Sequence, residues 1–244
     1  MWQRNRDVFL RLWHAEVPGF VAEPVVVLLA MGVGLGAYVK LGDEQSYIEF
    51  IVPGLIASYG MFSASFECTY GSFFRMDERK TYDAIIATPL SVEDVIAGEI
   101  FWGATRSCMT GTVILAVAAA FGLVHSPWAL LTPVLSFVGG IAFSSIAILY
   151  TSLVPSFYSF NYYFTLFITP MFFFSGVFFP LGGLPEVVQN ISIFIPLTPV
   201  VTIARSLMAG DIHVGLLGSL AVIIGIAVVF FSIALVTMRR RLTV

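Results

Sequence analysis

Nucleotide hydrolysis needs a glycine-rich turn ending in Gly-Lys-Ser/Thr, whose backbone cradles phosphate. The two lysines of this chain, Lys40 and Lys80, follow Val39 and Arg79 instead. Metal-assisted hydrolysis through HExxH and acyl transfer through GxSxG also lack their motifs. His14, His125 and His213 fall on different expected elements and read as interfacial packing side chains. Cys68 and Cys108 lie in apolar segments without a CxxC or a neighbouring histidine, which points to buried thiols rather than a metal or redox centre. A chain with no catalytic constellation and no cofactor site of its own is therefore expected. Four charges remain to be explained: Glu67, Arg75, Glu99 and Arg106 stand within or beside long apolar runs, where an ionised group persists only if it is paired or functional.

The elements that carry these charges follow from composition. Of the 244 residues 58% are hydrophobic and only 11% charged, so a water-soluble surface cannot be built. About 20 apolar residues cross roughly 30 Å of hydrocarbon. The apolar runs Pro24 to Val39, Ile48 to Phe74, Val95 to Val124, Leu130 to Val154, Tyr162 to Phe179 and Val214 to Met238 are read as six spans. If the hairpin of spans two and three turns near Ile86 and Ala87, Arg75 mirrors Glu99 and Glu67 mirrors Arg106, so each opposite-charge pair shares a depth. An ion pair or shared network between Glu67 and Arg106 is expected inside the membrane, with Arg75 and Glu99 near the cytoplasmic surface. The alternative is an Arg106 that snorkels to headgroups and a protonated Glu67.

Residues 1–22 place Phe9, Leu12, Trp13 and Glu16 at helical spacing among Arg4, Arg6 and Arg11, the pattern of a helix lying at a headgroup surface. Asp7, Glu16 and Glu23, with no A-x-A site, argue against a cleaved signal. The basic clusters at Arg4 to Arg11, Arg75 to Lys80 and Arg239 to Arg241 are separated by even numbers of spans, so all three can be cytoplasmic, and both termini with them. Lys40, Asp43, Glu44, Glu49, Glu186, Arg205 and Asp211 then fall outside. The stretch 187–208 is broken by Pro196 and Pro199, whose freed backbone groups lipid cannot satisfy, so 180–213 is expected to form an outer re-entrant helical hairpin. The expected fold is an all-α integral membrane domain of six transmembrane helices, with an interfacial helix at 1–22, a cytoplasmic loop at 75–94 and the re-entrant hairpin between spans five and six. The net charge of −3 and the scattered basic clusters disfavour a nucleic-acid partner.

The loop at 75–94 reads RMDERKTYDAIIATPLSVED: charges, a short apolar helix, Thr88-Pro89-Leu90, and a helix start at Ser91 with Asp94 in capping-box spacing. Ile85 and Ile86 flanked by charge suit docking into another protein. This stretch, with Gly98-Glu99, resembles the coupling region of permease subunits of type-2 ATP-binding-cassette exporters, and within them the nodulation permeases that export lipo-chitooligosaccharides. The resemblance continues through Thr169-Pro170-Met171, Phe174-Ser175-Gly176, Phe179-Pro180, Leu184-Pro185, Gln189, Pro196-Leu197, Arg205 and Gly210. Lys80 departs from it, standing where those permeases usually have Gly before Thr. The resemblance implies a bacterial inner-membrane exporter of two membrane subunits and two separate ATPase subunits, with ATP and Mg held by the ATPase. It implies an ATPase-coupling surface at Arg79, Lys80, Tyr82, Asp83, Ile85, Ile86 and Pro89, and an amphipathic substrate such as a lipid-linked oligosaccharide or glycolipid. Related permeases move drugs or polysaccharides.

Aromatic residues fill about half of 157–179, and Tyr162, Tyr163, Phe167, Phe173 and Phe174 are candidates for stacking on substrate sugar rings; an aromatic belt among packed helices and lipids explains them equally. Gly32 and Gly36 offer small-xxx-small spacing for pairing with a second copy. A lipid-modifying enzyme would want facing acids, histidines or a metal cluster, and a membrane assembly protein would leave the loop without an ATPase to bind.

Overall fold

A computed structural model describes residues 1–34, 36, 46–183 and 185–242, and among them every regular element is helical. Lys40, Asp43, Glu44, Leu184 and the end of the first expected span lie outside the described residues. Helix α1 spans Trp2–Leu29 and runs on into a π-helical turn, Ala30–Gly34. The expected boundary at residue 22 is not a break: Pro18 and Pro24 sit inside this one helix, each removing a single hydrogen bond while its neighbours persist. Helix α2, Tyr47–Phe66, continues through two π-helical turns, Glu67–Gly71 and Phe74–Glu78. Arg75 therefore belongs to this span and not to the loop.

A six-residue helix α3, Thr81–Ile86, links α2 to α4, Val92–Ala120. The α4 start is the expected capping box: Ser91 Oγ accepts from the Asp94 amide, and the Asp94 carboxylate accepts from the Ser91 amide at 3.0 Å. Helix α5, Thr132–Leu153, follows a 3₁₀ turn at Pro127–Leu131. The fifth expected span is helical from Phe157 to Phe174 but changes pitch three times, through a 3₁₀ turn, α6 (Phe160–Tyr163), a π turn (Phe164–Ile168) and α7 (Thr169–Phe174). Gly176, with φ of +82°, then turns the chain. Helices α8, Glu186–Ile193, and α9, Leu197–Ala209, meet at 93° across the break where Pro196 stands. Helix α10, Gly215–Leu242, closes the fold. Five helices are long and apolar enough to cross a membrane, six with the bent pair counted as one.

The core is the α2–α4–α5 sandwich, where small residues let backbones approach. A Cβ added at Gly140 of α5 would meet the Ala104 Cα of α4 at 2.8 Å and the Ser107 Cβ at 2.7 Å. Of the glycine pair proposed for self-association, Gly36 faces open space, and the surroundings of Gly32 lie outside the described residues.

Candidate functional site

Below this small-residue seam the same helices carry charge. Arg75, at the end of α2, donates from Nε to Glu99 Oε1 of α4 at 2.9 Å and from a terminal nitrogen to Oε2, and its other terminal nitrogen reaches Glu67 Oε1 at 2.8 Å. Glu99 is wholly buried and also accepts from Ser72 Oγ at 3.0 Å. Arg106 of α4 lies 3.7 Å from Glu67 Oε2 and donates to Glu16 of α1 at 2.7 Å, with its guanidinium 5.1 Å from the Phe9 ring centre. The chain of contacts is thus Glu16, Arg106, Glu67, Arg75, Glu99, and all four charges singled out in the sequence belong to it. Each buried carboxylate faces at least one guanidinium, which offsets a desolvation cost of several kcal/mol per ion. Arg75 and Glu99 pair directly, and Arg75 also joins this pair to Glu67. On an ideal α-helix residues eight apart are rotated by about 80°. Glu67 and Arg75 sit in two π-helical turns, whose wider winding brings both onto the α4 face.

One member escaped the sequence reading, and a second was assigned to another surface. Glu16 closes the far end of the chain; its signal was its place on the α1 stripe with Phe9 and Leu12. Tyr82 closes the near end. It is completely buried beneath α3, and burial first, then the Glu99 carboxylate, pushes its phenol well above the ordinary range. This corrects its assignment to the coupling surface: a side chain with no exposure cannot touch a partner, and it instead seats α3 on the charged site. The other coupling residues behave differently. Arg79, Lys80, Asp83 and Pro89 are exposed, while Ile85 and Ile86 are half-buried at the edge of the core. Lys80 precedes α3 in the left-handed conformation, φ 48°, which suits the glycine that the related permeases carry there.

A cavity of about 680 Å³ opens between α1 and the α2–α4 pair. Helix α1 contributes Arg4, Val8, Leu12, Glu16, Gly19 and Glu23, close to one residue per turn, and α2 faces it in antiparallel sense from Tyr59 to Arg79. Tyr59 and Glu23 touch at 3.5 Å at one end. Of the aromatic candidates on the fifth span, none of the five lines this cavity, and only their neighbour Phe164 does. Tyr163 is buried against Tyr150 and Phe164, which corrects its assignment as substrate-facing: its ring is enclosed by its own chain. Tyr162, Phe167, Phe173 and Phe174 are exposed on the outside of the bundle.

At the opposite end, Arg205 of α9 donates to the Gly176 carbonyl at 2.8 Å and lies 3.9 Å from the Phe50 ring centre, tying the bent pair to the turn after α7. The basic clusters share the charged end. Arg4 and Arg79 line one cavity, and Arg239 pairs with Glu93 at the start of α4 at 3.1 Å. No group of histidine, cysteine and acidic side chains suited to a metal occurs among the described residues.

The described residues form a helical bundle of membrane-span length with a short helix seated at its charged end. Residues 1–209 match the model of the ABC-2 type transporter membrane family, and the chain belongs to that family. Its membrane domain is therefore the permease of an ATP-binding-cassette transporter, a family that works with an ATP-binding subunit. The chain is similar over nearly its whole length to Nodulation protein J of Rhizobium meliloti (strain 1021), 37% identical over 99% of this chain and 92% of the relative. It is also similar to Nodulation protein J of Rhizobium leguminosarum bv. viciae, 37% identical over 99% and 93%. Similarity to the inner membrane transport permease YadH of Escherichia coli (strain K12) is 26% over 96% and 91%.

Proposed function

We infer that this chain is the membrane half of an exporter that moves an amphipathic substrate outward, a lipid-linked oligosaccharide or glycolipid, driven by ATP hydrolysis on a separate subunit. Two copies assemble in a bacterial inner membrane among its lipids, with both termini and α3 on the cytoplasmic side. ATP and Mg stay with the ATPase. The single observation that carries the reading is the unbroken run of ion pairs from Glu16 to Glu99, at the end of the bundle where α3 buries Tyr82. A push on the exposed face of α3, at Arg79, Lys80, Asp83, Ile85, Ile86 and Pro89, is transmitted to α1, which forms a wall of the cavity. The gathering of the basic clusters at one end supports the orientation. The bend of 93° between α8 and α9 supports a hairpin that enters the outer leaflet and returns. The nodulation relatives support the substrate class.

The test is reconstitution with its ATP-binding partner subunit. Ile85→Asp, or charge reversal of Arg79 and Lys80, should abolish copurification and export while the permease still folds. A lipo-oligosaccharide should stimulate ATP hydrolysis. Copurification and export that survive both changes would refute the coupling role, and stimulation by drugs or polysaccharides alone would refute the substrate class.

A further inference from the structure

The cavity has a donor-rich end that the ion-pair chain leaves unsatisfied. Arg4 is half-buried there and donates to Asn5 Oδ1 at 3.1 Å. Arg79 lines the same end with its guanidinium 5.0 Å from the Phe74 ring centre. Among the described residues neither arginine has a carboxylate within ion-pair distance, and both stand near Arg75, whose charge is already matched by Glu67 and Glu99. Asn5, whose Oδ1 accepts the Arg4 bond, lines the same end and is only 4% exposed. Like charges on one cavity wall repel, and an acceptor-only group between them relieves that repulsion. Away from that end Val8, Leu12, Phe62, Phe66 and Phe164 supply apolar wall beside the Glu16–Arg106–Glu67 pairs and the Tyr59–Glu23 contact. The slot from Arg4 to Glu23 is about 28 Å long at 1.5 Å per residue, and its volume is in the range of about 300–1,000 Å³ typical of ligand sites.

We propose that this cavity is a binding site for an anionic phospholipid of the surrounding membrane, its phosphate held by Arg4 and Arg79 and an acyl chain lying along Phe62, Phe66 and Phe164. The lipid fills the space between α1 and the α2–α4 pair and bridges Arg4 to Arg79. It is a resident component that is required whichever substrate the exporter moves.

The experiment is native mass spectrometry of the full chain in detergent, titrated with phosphatidylglycerol, with phosphatidylcholine, and with soluble sn-glycerol phosphate, with no ATPase and no transport. Phosphatidylglycerol should stay bound, and Arg4→Gln with Arg79→Gln should weaken it about 30-fold, since each basic residue near a lipid surface contributes roughly fivefold. The Arg4→Lys, Arg79→Lys protein should retain it. Leu12→Trp, which blocks the apolar part and leaves the charges, should expel it. Equal retention of phosphatidylglycerol and phosphatidylcholine with no effect of the glutamine changes overturns the anion site. Saturation by glycerol phosphate as tight as by the lipid overturns the acyl-chain slot and leaves a soluble phosphate as the ligand. Retention in a folded Leu12→Trp protein places the lipid elsewhere and also overturns it. Should the glutamine protein fail to fold, the lysine pair and Leu12→Trp decide.

Discussion

The hairpin of α2 and α4 is held together in two unlike ways along its length. Toward Gly140 and Ser107 the helices meet α5 through small side chains, and there is no room for a methyl group. Toward α3 they meet through Glu67, Arg75, Glu99 and Arg106, with α1 joined through Glu16. Close packing has one geometry, and any sliding opens voids or clashes. An ion-pair chain can exchange partners, because each guanidinium here has two carboxylates within reach. On the coupling role proposed above, the rigid half is the pivot and the charged half is the part that moves.

The sharpest break is Arg75→Ala. It strands the wholly buried Glu99 and takes one partner from Glu67, so a loss of about 3–5 kcal/mol is expected, read as a lower thermal midpoint and poor folded yield in detergent. An unchanged midpoint would mean that the charged half holds nothing. Gly140→Leu attacks the other half and should cost about 1–3 kcal/mol through overpacking, read as a lower thermal midpoint, while the coupling between Glu16 and Arg106 in a double-mutant cycle stays unchanged.

Charge exchange sharpens the contrast further. Exchanging Glu67 and Arg106 alone should not rescue the single changes, because an arginine at 67 would face Arg75 and a glutamate at 106 would face Glu16. Exchanging Glu16 and Arg106 meets the same obstacle at Glu67, so a double-mutant cycle on Glu16→Gln and Arg106→Gln is the cleaner measurement. With Glu16 partly exposed, a coupling near 1 kcal/mol is expected. A full rescue by either exchange would show isolated pairs in place of a chain.

The smallest effects belong to α3. Lys80→Gly relieves a left-handed backbone and should stabilise the loop by about 1 kcal/mol or less, measured by hydrogen exchange of α3. Tyr82→Phe removes a buried hydroxyl that has no hydrogen-bond partner among the described residues, so it should be close to neutral at pH 7. Because the folded phenol titrates above the unfolded one, the native protein loses stability as pH rises past about 10, where the unfolded tyrosine ionises first. Tyr82→Phe should flatten that slope.

Sequence alone determined that this is a helical membrane domain, because 58% apolar composition and runs of span length leave no other place for the chain. It also marked the four intramembrane charges, since an ion in an apolar run stands out whatever its neighbours are. The capping box before α4 and the break at Pro196 were legible for a similar reason: both are local, decided by residues a few positions apart. What only the tertiary structure decided is who faces whom. Whether Arg75 meets Glu67, Glu99 or both depends on winding that two π turns alter, and a pattern of types and spacings does not record an added residue per turn. Glu16 joined the site because α1 packs beside α4 at a depth that no spacing within α1 specifies. Tyr82 and Tyr163 looked like surface aromatics by type, yet packing closed over them, because burial is a property of the neighbours an element acquires on folding and not of the residue itself.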